Sequence, residues 1–147
     1  MTASPSILAD EFVLDASVAL AWGFEDEHDP LAEAILDRLP ATQAVAPATL
    51  LLEVANALLV GERRGRLTQA DVAQFVELLD SLPVTLDDET SERALWEILT
   101  LAREQNLSAY EAAYLDLAMR HGLPLATLDQ RLRGAAAAVG VALYAVP

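Results

Sequence analysis

The stretch FVLDAS, Phe12 to Ser17, runs three apolar residues straight into an acid. Phe, Val and Leu in succession read as a short buried strand, which delivers Asp15 at its end. A carboxylate in that place is a turn residue, an N-cap for the next helix, or part of a site. FVLDAS by itself does not separate these readings. LPLATLD, Leu123 to Asp129, has the same form and delivers a second acid near the other end of the chain.

Outward from FVLDAS, apolar periodicity and punctuation give short strands alternating with longer helices. A helix from about Ser17 to Phe24 and another from Asp29 to Leu39, stopped by Pro40, lead to a strand in QAVAP, Gln43 to Pro47. Pro47 is placed to open a helix over Ala48 to Arg64. Thr68 caps a helix to about Asp80, Pro83 precedes the strand Val84 to Leu86, and a long amphipathic helix runs from Asp87 to Gln105. Ser108 caps a helix over Ala109 to His121 that Gly122 closes. The strand of LPLATLD, an Ala-rich helix and a last strand, VALYAV, complete the chain. Strands separated by helices imply an α/β fold, a three-layer α/β/α sandwich around a parallel sheet. Ligands gather beyond the carboxyl ends of such strands, where Asp15 and Asp129 fall.

The chain has 147 residues, enough for one domain, with residues 1–10 expected to be a flexible extension. Nine cations, all Arg, against 23 acids give a formal charge of -14, which excludes a protein that coats nucleic acid through a broad basic face. With no cysteine, disulfides, thiol catalysis and thiolate metal sites are excluded. His28 and His121 have no spacing that suggests a shared metal, so a metal here is held by oxygen. The N-terminal residues lack the charged start and apolar core of a signal peptide, and no run is long enough to span a membrane. A cytoplasmic protein is expected.

Two helices carry acids that need a reason. TLLLEVANALLV, Thr49 to Val60, is apolar all round except for Glu53 and Asn56, which lie three apart on one face. Such a helix reads as buried, and an unpartnered ionised carboxylate in it would cost several kcal/mol, roughly, so Glu53 is either a functional carboxylate or lies on an exposed stripe or is hydrogen-bonded to a nearby helix end or Arg. In LSAYEAAYLDLA, Leu107 to Ala118, the acids are Glu111 and Asp116, five apart and so not closely on one face. Glu111 alone is explained by the helix dipole, and Asp129 alone by capping. Tyr110 and Tyr114 read as core and rim packing. Together, Asp15, Glu53, Glu111 and Asp129, with Asp116 nearby, form a cluster that is unfavourable without a cation. Oxygen ligands select a hard one, Mg2+ or Mn2+. Such an ion neutralises phosphate charge and lowers the pKa of bound water, so the reaction class is hydrolysis of a phosphodiester.

VLDASV, LLLEVANAL, LSAYEAAYLDLA and LPLATLD occur in the order and approximate spacing of PIN-domain proteins, and the chain resembles most closely their VapC-type ribonuclease toxins. The resemblance covers Phe12 to Val146. It implies the α/β/α sandwich, Mg2+- or Mn2+-dependent endoribonuclease activity on an RNA substrate, homodimerisation and inhibition by a cognate antitoxin protein. It places the family's four acids on Asp15, Glu53, Glu111 and Asp129, with Ser17, Asn56 and Thr127 supporting them and Asp116 as an auxiliary ligand. Glu111 departs from the family's usual Asp, which keeps open a second reading, a catalytically weakened or inactive PIN-like binding subunit. A third, a phosphatase or phosphotransferase with Asp15 as nucleophile, needs a phosphate-clamping Lys that the chain lacks. Candidate RNA contacts are Arg63, Arg64 and Arg66 in GERRGR, and Arg131 and Arg133 just after Asp129.

Overall fold

The computed structural model describes residues 10–146. Its centre is a four-stranded, all-parallel sheet in the order β3-β2-β1-β4, formed by β1 Phe12–Leu14, β2 Ala44–Pro47, β3 Val84–Asp87 and β4 Leu125–Ala126. Phe12 pairs with Ala44 and Val13 with both Val45 and Leu125, so β1 is buried on both sides within the sheet. Its three residues are fully inaccessible, as the unbroken apolar run requires of a central parallel strand.

Helices connect the strands and cover the sheet in a three-layer sandwich. They are α1 Ala16–Ala21, α2 Pro30–Arg38, α3 Leu50–Arg63, α4 Gln69–Ser81, α5 Thr90–Arg93, α6 Leu99–Gln105, α7 Ala109–His121 and α8 Gln130–Val139. Asp29, Thr68 and Ser108 cap α2, α4 and α7 with their side chains, and Gly122 ends α7 at φ 63°, a left-handed position that suits glycine. The chain leaves β1 toward β2 and β3 on one side and returns to β4 on the other. The strand order therefore reverses between β1 and β4, the switch point at which open sheets leave a crevice.

Four expectations change. Pro47 does not open a helix: it is the last residue of β2, where its missing N–H costs one ladder position at most, and α3 begins at Leu50. The helix expected from Asp87 begins at Thr90 and carries a π turn, Ala94–Ile98, between α5 and α6, which leaves Leu95 and Trp96 exposed. VALYAV forms no full strand. Leu143 makes a single parallel bridge with Leu125, and Tyr144 stacks on Phe12 at 4.2 Å between ring centres. Finally, α3 is not buried all round. Leu50, Val54, Leu58 and Gly61 face the core, whereas Leu51, Leu52 and Leu59 are exposed. Composition cannot distinguish a buried helix from one whose outer apolar face has no neighbour within the chain.

The extension expected over residues 1–10 lies outside the described residues except for Asp10, which is ion-paired with Arg38. No described helix is long and apolar enough to cross a membrane.

Two helical glycines differ in their surroundings. A Cβ on Gly61 would lie 2.9 Å from the Phe24 ring and 3.1 Å from Leu67, while one on Gly134 would meet nothing within 4 Å. Gly61→Ala is expected to lose about 1–3 kcal/mol by overpacking, and Gly134→Ala to gain up to about 1 kcal/mol of helix propensity. Urea denaturation midpoints measure both.

Candidate metal centre

Asp15 sits at the switch point, 6% exposed, and caps α1 with the same carboxylate. Its Oδ2 accepts three hydrogen bonds, from the Ser17 N–H at 3.3 Å, the Ser17 hydroxyl at 2.6 Å and the Thr127 hydroxyl at 2.8 Å. A hydroxyl has one proton to give, and both spend it on Asp15. Their oxygens in turn accept from the loop after β4: Ser17 Oγ from the Leu128 N–H at 2.9 Å, and Thr127 Oγ1 from the Asp129 N–H at 3.1 Å. Ser17 and Thr127 therefore tie the end of β1 to the start of α8, and with it Asp15 to Asp129.

Asp129 caps α8, its Oδ1 accepting from the N–H groups of Arg131 and Leu132. Glu53, half-buried in the first turn of α3, accepts from the Tyr114 hydroxyl at 2.7 Å through Oε2. Glu111 closes a capping box with Ser108, whose N–H donates to Glu111 Oε1 at 2.8 Å. Each of these acids has thus committed one oxygen to the fold. Among the described residues, the second oxygen of each, Asp15 Oδ1, Asp129 Oδ2, Glu53 Oε1 and Glu111 Oε2, has no hydrogen-bond partner, and no Arg pairs with any of the four.

The four also sense one another. Burial raises the Asp15 pKa first, and the charge of Asp129 adds to it, against the three hydrogen bonds. Glu53 is raised by burial and by the charges of Asp15 and Glu111, against the Tyr114 hydroxyl. Tyr114, fully inaccessible and facing these charges, has its own pKa raised by burial and by Glu53 and Asp15.

Asp116 does not belong to this set. Arg93 bonds both its oxygens, at 2.8 and 2.9 Å, and Arg120 shares Oδ2 at 3.1 Å, so its carboxylate is neutralised from within. The place expected for an auxiliary ligand is instead an ion-pair network linking α7 to α5 and β3. Asp87 is treated alike: burial alone would raise its pKa, yet Arg120 and Thr90 hold it below the ordinary value. Among the described residues one acidic trio, Asp87, Asp88 and Glu89, brings its carboxylate oxygens within 4.8 Å of each other, and Arg120 already occupies it.

The arginines chosen as RNA contacts are dispersed. Glu53 lies in the first turn of α3 and Arg63 is its last residue, about 15 Å along the axis. Arg63 and Arg64 are exposed at that far end, where Arg66 pairs with Asp26 and Glu27 and lies 4.4 Å over the Phe24 ring. Arg133 donates to the Thr127 carbonyl at 3.0 Å and Arg131 to the Asn106 carbonyl at 2.6 Å, so both brace the loops around Asp129. Asn56 is exposed and, with Glu53 and Glu111, lines an open cleft. Tyr114 is the functional side chain that reading the sequence as packing overlooked. Its spacing of three from Glu111 on α7 put it on the acidic face.

Asp15, at the carboxyl end of β1, thus lies within electrostatic reach of Asp129 and Glu53, and each of the four acids keeps one oxygen uncommitted, although among the described residues no three of them bring carboxylate oxygens within 4.8 Å of one another. The chain belongs to the PIN domain family, whose pattern it matches over residues 12–138. It is 36% identical over 135 residues to a protein named Ribonuclease VapC3 from Mycobacterium tuberculosis, covering 90% of this chain and 92% of that one. Another Ribonuclease VapC3, from Pyrobaculum aerophilum, is 30% identical over 122 residues, 83% of this chain and 92% of its own. The crystal structure of PAE2754 from Pyrobaculum aerophilum superposes with a TM-score of 0.63 at 25% identity, covering 85% of each chain.

Because folding raises the Asp15 pKa, the neutral acid is favoured in the native state. That stability is present below the unfolded value of 3.8 and is lost as the pH rises through the folded value. At pH 7 without divalent ions, Asp15→Asn is therefore expected to melt about 2 °C or more above the unaltered protein, the gap narrowing as the pH falls toward 4. Thermal melts in EDTA across that range check both parts.

Proposed function

We propose that the chain is a divalent-metal-dependent endoribonuclease that hydrolyses RNA phosphodiester bonds, and the toxin of a toxin-antitoxin pair. The observation that carries this reading is the contrast between two groups of acids. Asp87 and Asp116 are neutralised by Arg120 and Arg93, while Asp15, Glu53, Glu111 and Asp129 each keep an oxygen free and repel their neighbours. A protein that supplies guanidinium groups to one set and none to the other leaves the second for a cation it does not encode.

Mg2+, or Mn2+, would be held by those four carboxylates, and when bound it supplies charge neutralisation for the phosphate and a water of lowered pKa as nucleophile. The chain's own residues do the positioning. Ser17 and Thr127 fix the rotamer of Asp15, Tyr114 holds Glu53 through its Oε2, and the Ser108 N–H holds Glu111. Neither histidine serves as a base for this pocket: His28 is exposed and paired with Glu33 at 3.0 Å, and His121 is exposed at the last residue of α7.

The Glu at position 111 fits the reading. Its extra methylene does not waste the carboxylate, since one oxygen closes the capping box and the other remains free. No observation favours the inactive binding subunit. A homodimer, a cognate antitoxin and a cytoplasmic setting belong to the same proposal, and the exposed Leu51, Leu59, Val76 and Leu86 on α3, α4 and β3 offer apolar surface for protein partners.

Purified free of any partner, the protein is expected to cut structured RNA with Mg2+ or Mn2+. Cleavage should fall to the EDTA background in Asp15→Asn and Glu53→Gln, variants that keep side-chain volume. Gel-resolved cleavage products provide the readout, and cutting that survives either substitution would place the chemistry elsewhere.

A further inference from the structure

The cleft beside the acids, about 650 Å³, carries residues that metal binding does not use. Tyr110 is 60% exposed and Leu52 is 75% exposed, an aromatic and an aliphatic side chain on the same cleft as Glu53 and Glu111. Asn56, one turn of α3 after Leu52, adds an amide that makes no hydrogen bond to the described residues and so keeps its donors and acceptor. Tyr114, four residues after Tyr110, is fully buried and spent on Glu53, so the two tyrosines of α7 divide the work between them.

A flat aromatic ring, an aliphatic wall and one amide beside the two carboxylates of Glu53 and Glu111 match an unpaired nucleobase. Its faces are apolar and its edge carries hydrogen-bonding groups. The cleft holds no guanidinium among its lining residues, so it is unsuited to a phosphate on its own account. Resting on the nuclease reading of the acids, we infer that this cleft is a base subsite: Tyr110 stacks a nucleobase of single-stranded RNA next to the scissile phosphate, with Leu52 at its side and Asn56 at its edge. Tyr110 is a specificity and positioning residue, separate from the carboxylates.

Stacking on one aromatic side chain contributes about 1–3 kcal/mol per base, or roughly 5- to 150-fold in affinity. Anisotropy of a short fluorescein-labelled single-stranded RNA, in Ca2+ so that the complex persists, should show Tyr110→Ala binding at least about fivefold more weakly. Tyr110→Trp and Tyr110→Phe should stay near the unaltered protein. In cleavage, Tyr110→Ala should raise KM with kcat largely kept, and a strand with an abasic position at the cut should remove the difference between variants. Equal binding by Tyr110→Ala, with cleavage by the parent intact, overturns the subsite and leaves the nuclease reading standing. RNA binding that depends on Tyr110 in a protein that never cleaves sustains the subsite and overturns the nuclease. A change of oligomeric state in Tyr110→Ala, by light scattering, with RNA affinity unaltered, overturns the subsite in favour of a protein interface.

Discussion

The candidate site rests on a repulsion that the fold tolerates near the carboxyl end of β1, where Asp129 acts on Asp15, and Asp15 and Glu111 act on Glu53. Asp15 and Glu53 have raised pKa values because each is desolvated and faces another acid, and no guanidinium among the described residues relieves them. The fold holds the repulsion in place with donors that carry no net charge: two hydroxyls for Asp15, a phenol for Glu53, and backbone N–H groups for Glu111 and Asp129. Neutral donors fix a carboxylate's orientation without cancelling its charge, which an ion pair would do. The scaffold thereby directs one oxygen of each acid into the structure and leaves the other free.

Two parts of the core position these acids. The buried β1 sets Asp15 against Thr127 across the switch point, and α7, packed on β1 and β2, brings Tyr114 to Glu53. On the far side of α7, Arg93 and Arg120 neutralise Asp116 and Asp87. The same helix thus faces one acidic cluster that the chain has satisfied and another that it has not. Removing charge from the second should stabilise the free protein, a familiar conflict between a functional site and stability.

The sheet and its acids were legible from sequence because apolar strands ending in Asp, and acids within apolar helices, break a pattern that a core would otherwise keep. Helix ends marked by Thr68, Ser108 and Gly122 fell where side-chain capping and a left-handed glycine put them. What remained hidden was determined by partners distant in sequence. Asp116 looked like a ligand until Arg93, 23 residues away, took its carboxylate, and Arg66 looked available to RNA until Asp26, 40 residues away, claimed it. Tyr114 and Tyr110 are alike in sequence, yet one is fully buried and the other mostly exposed. The outer face of α3 reads as buried because hydrophobicity records only that apolar surface exists, not whether this chain covers it.

Anomalous diffraction at the manganese edge, from crystals grown with Mn2+, tests the central claim most directly. A peak within reach of the free oxygens of Asp15, Glu53, Glu111 and Asp129, absent from Asp15→Asn crystals, is the predicted result. A peak at Asp87, Asp88 and Glu89, or none near the four acids in saturating Mn2+, would contradict the account.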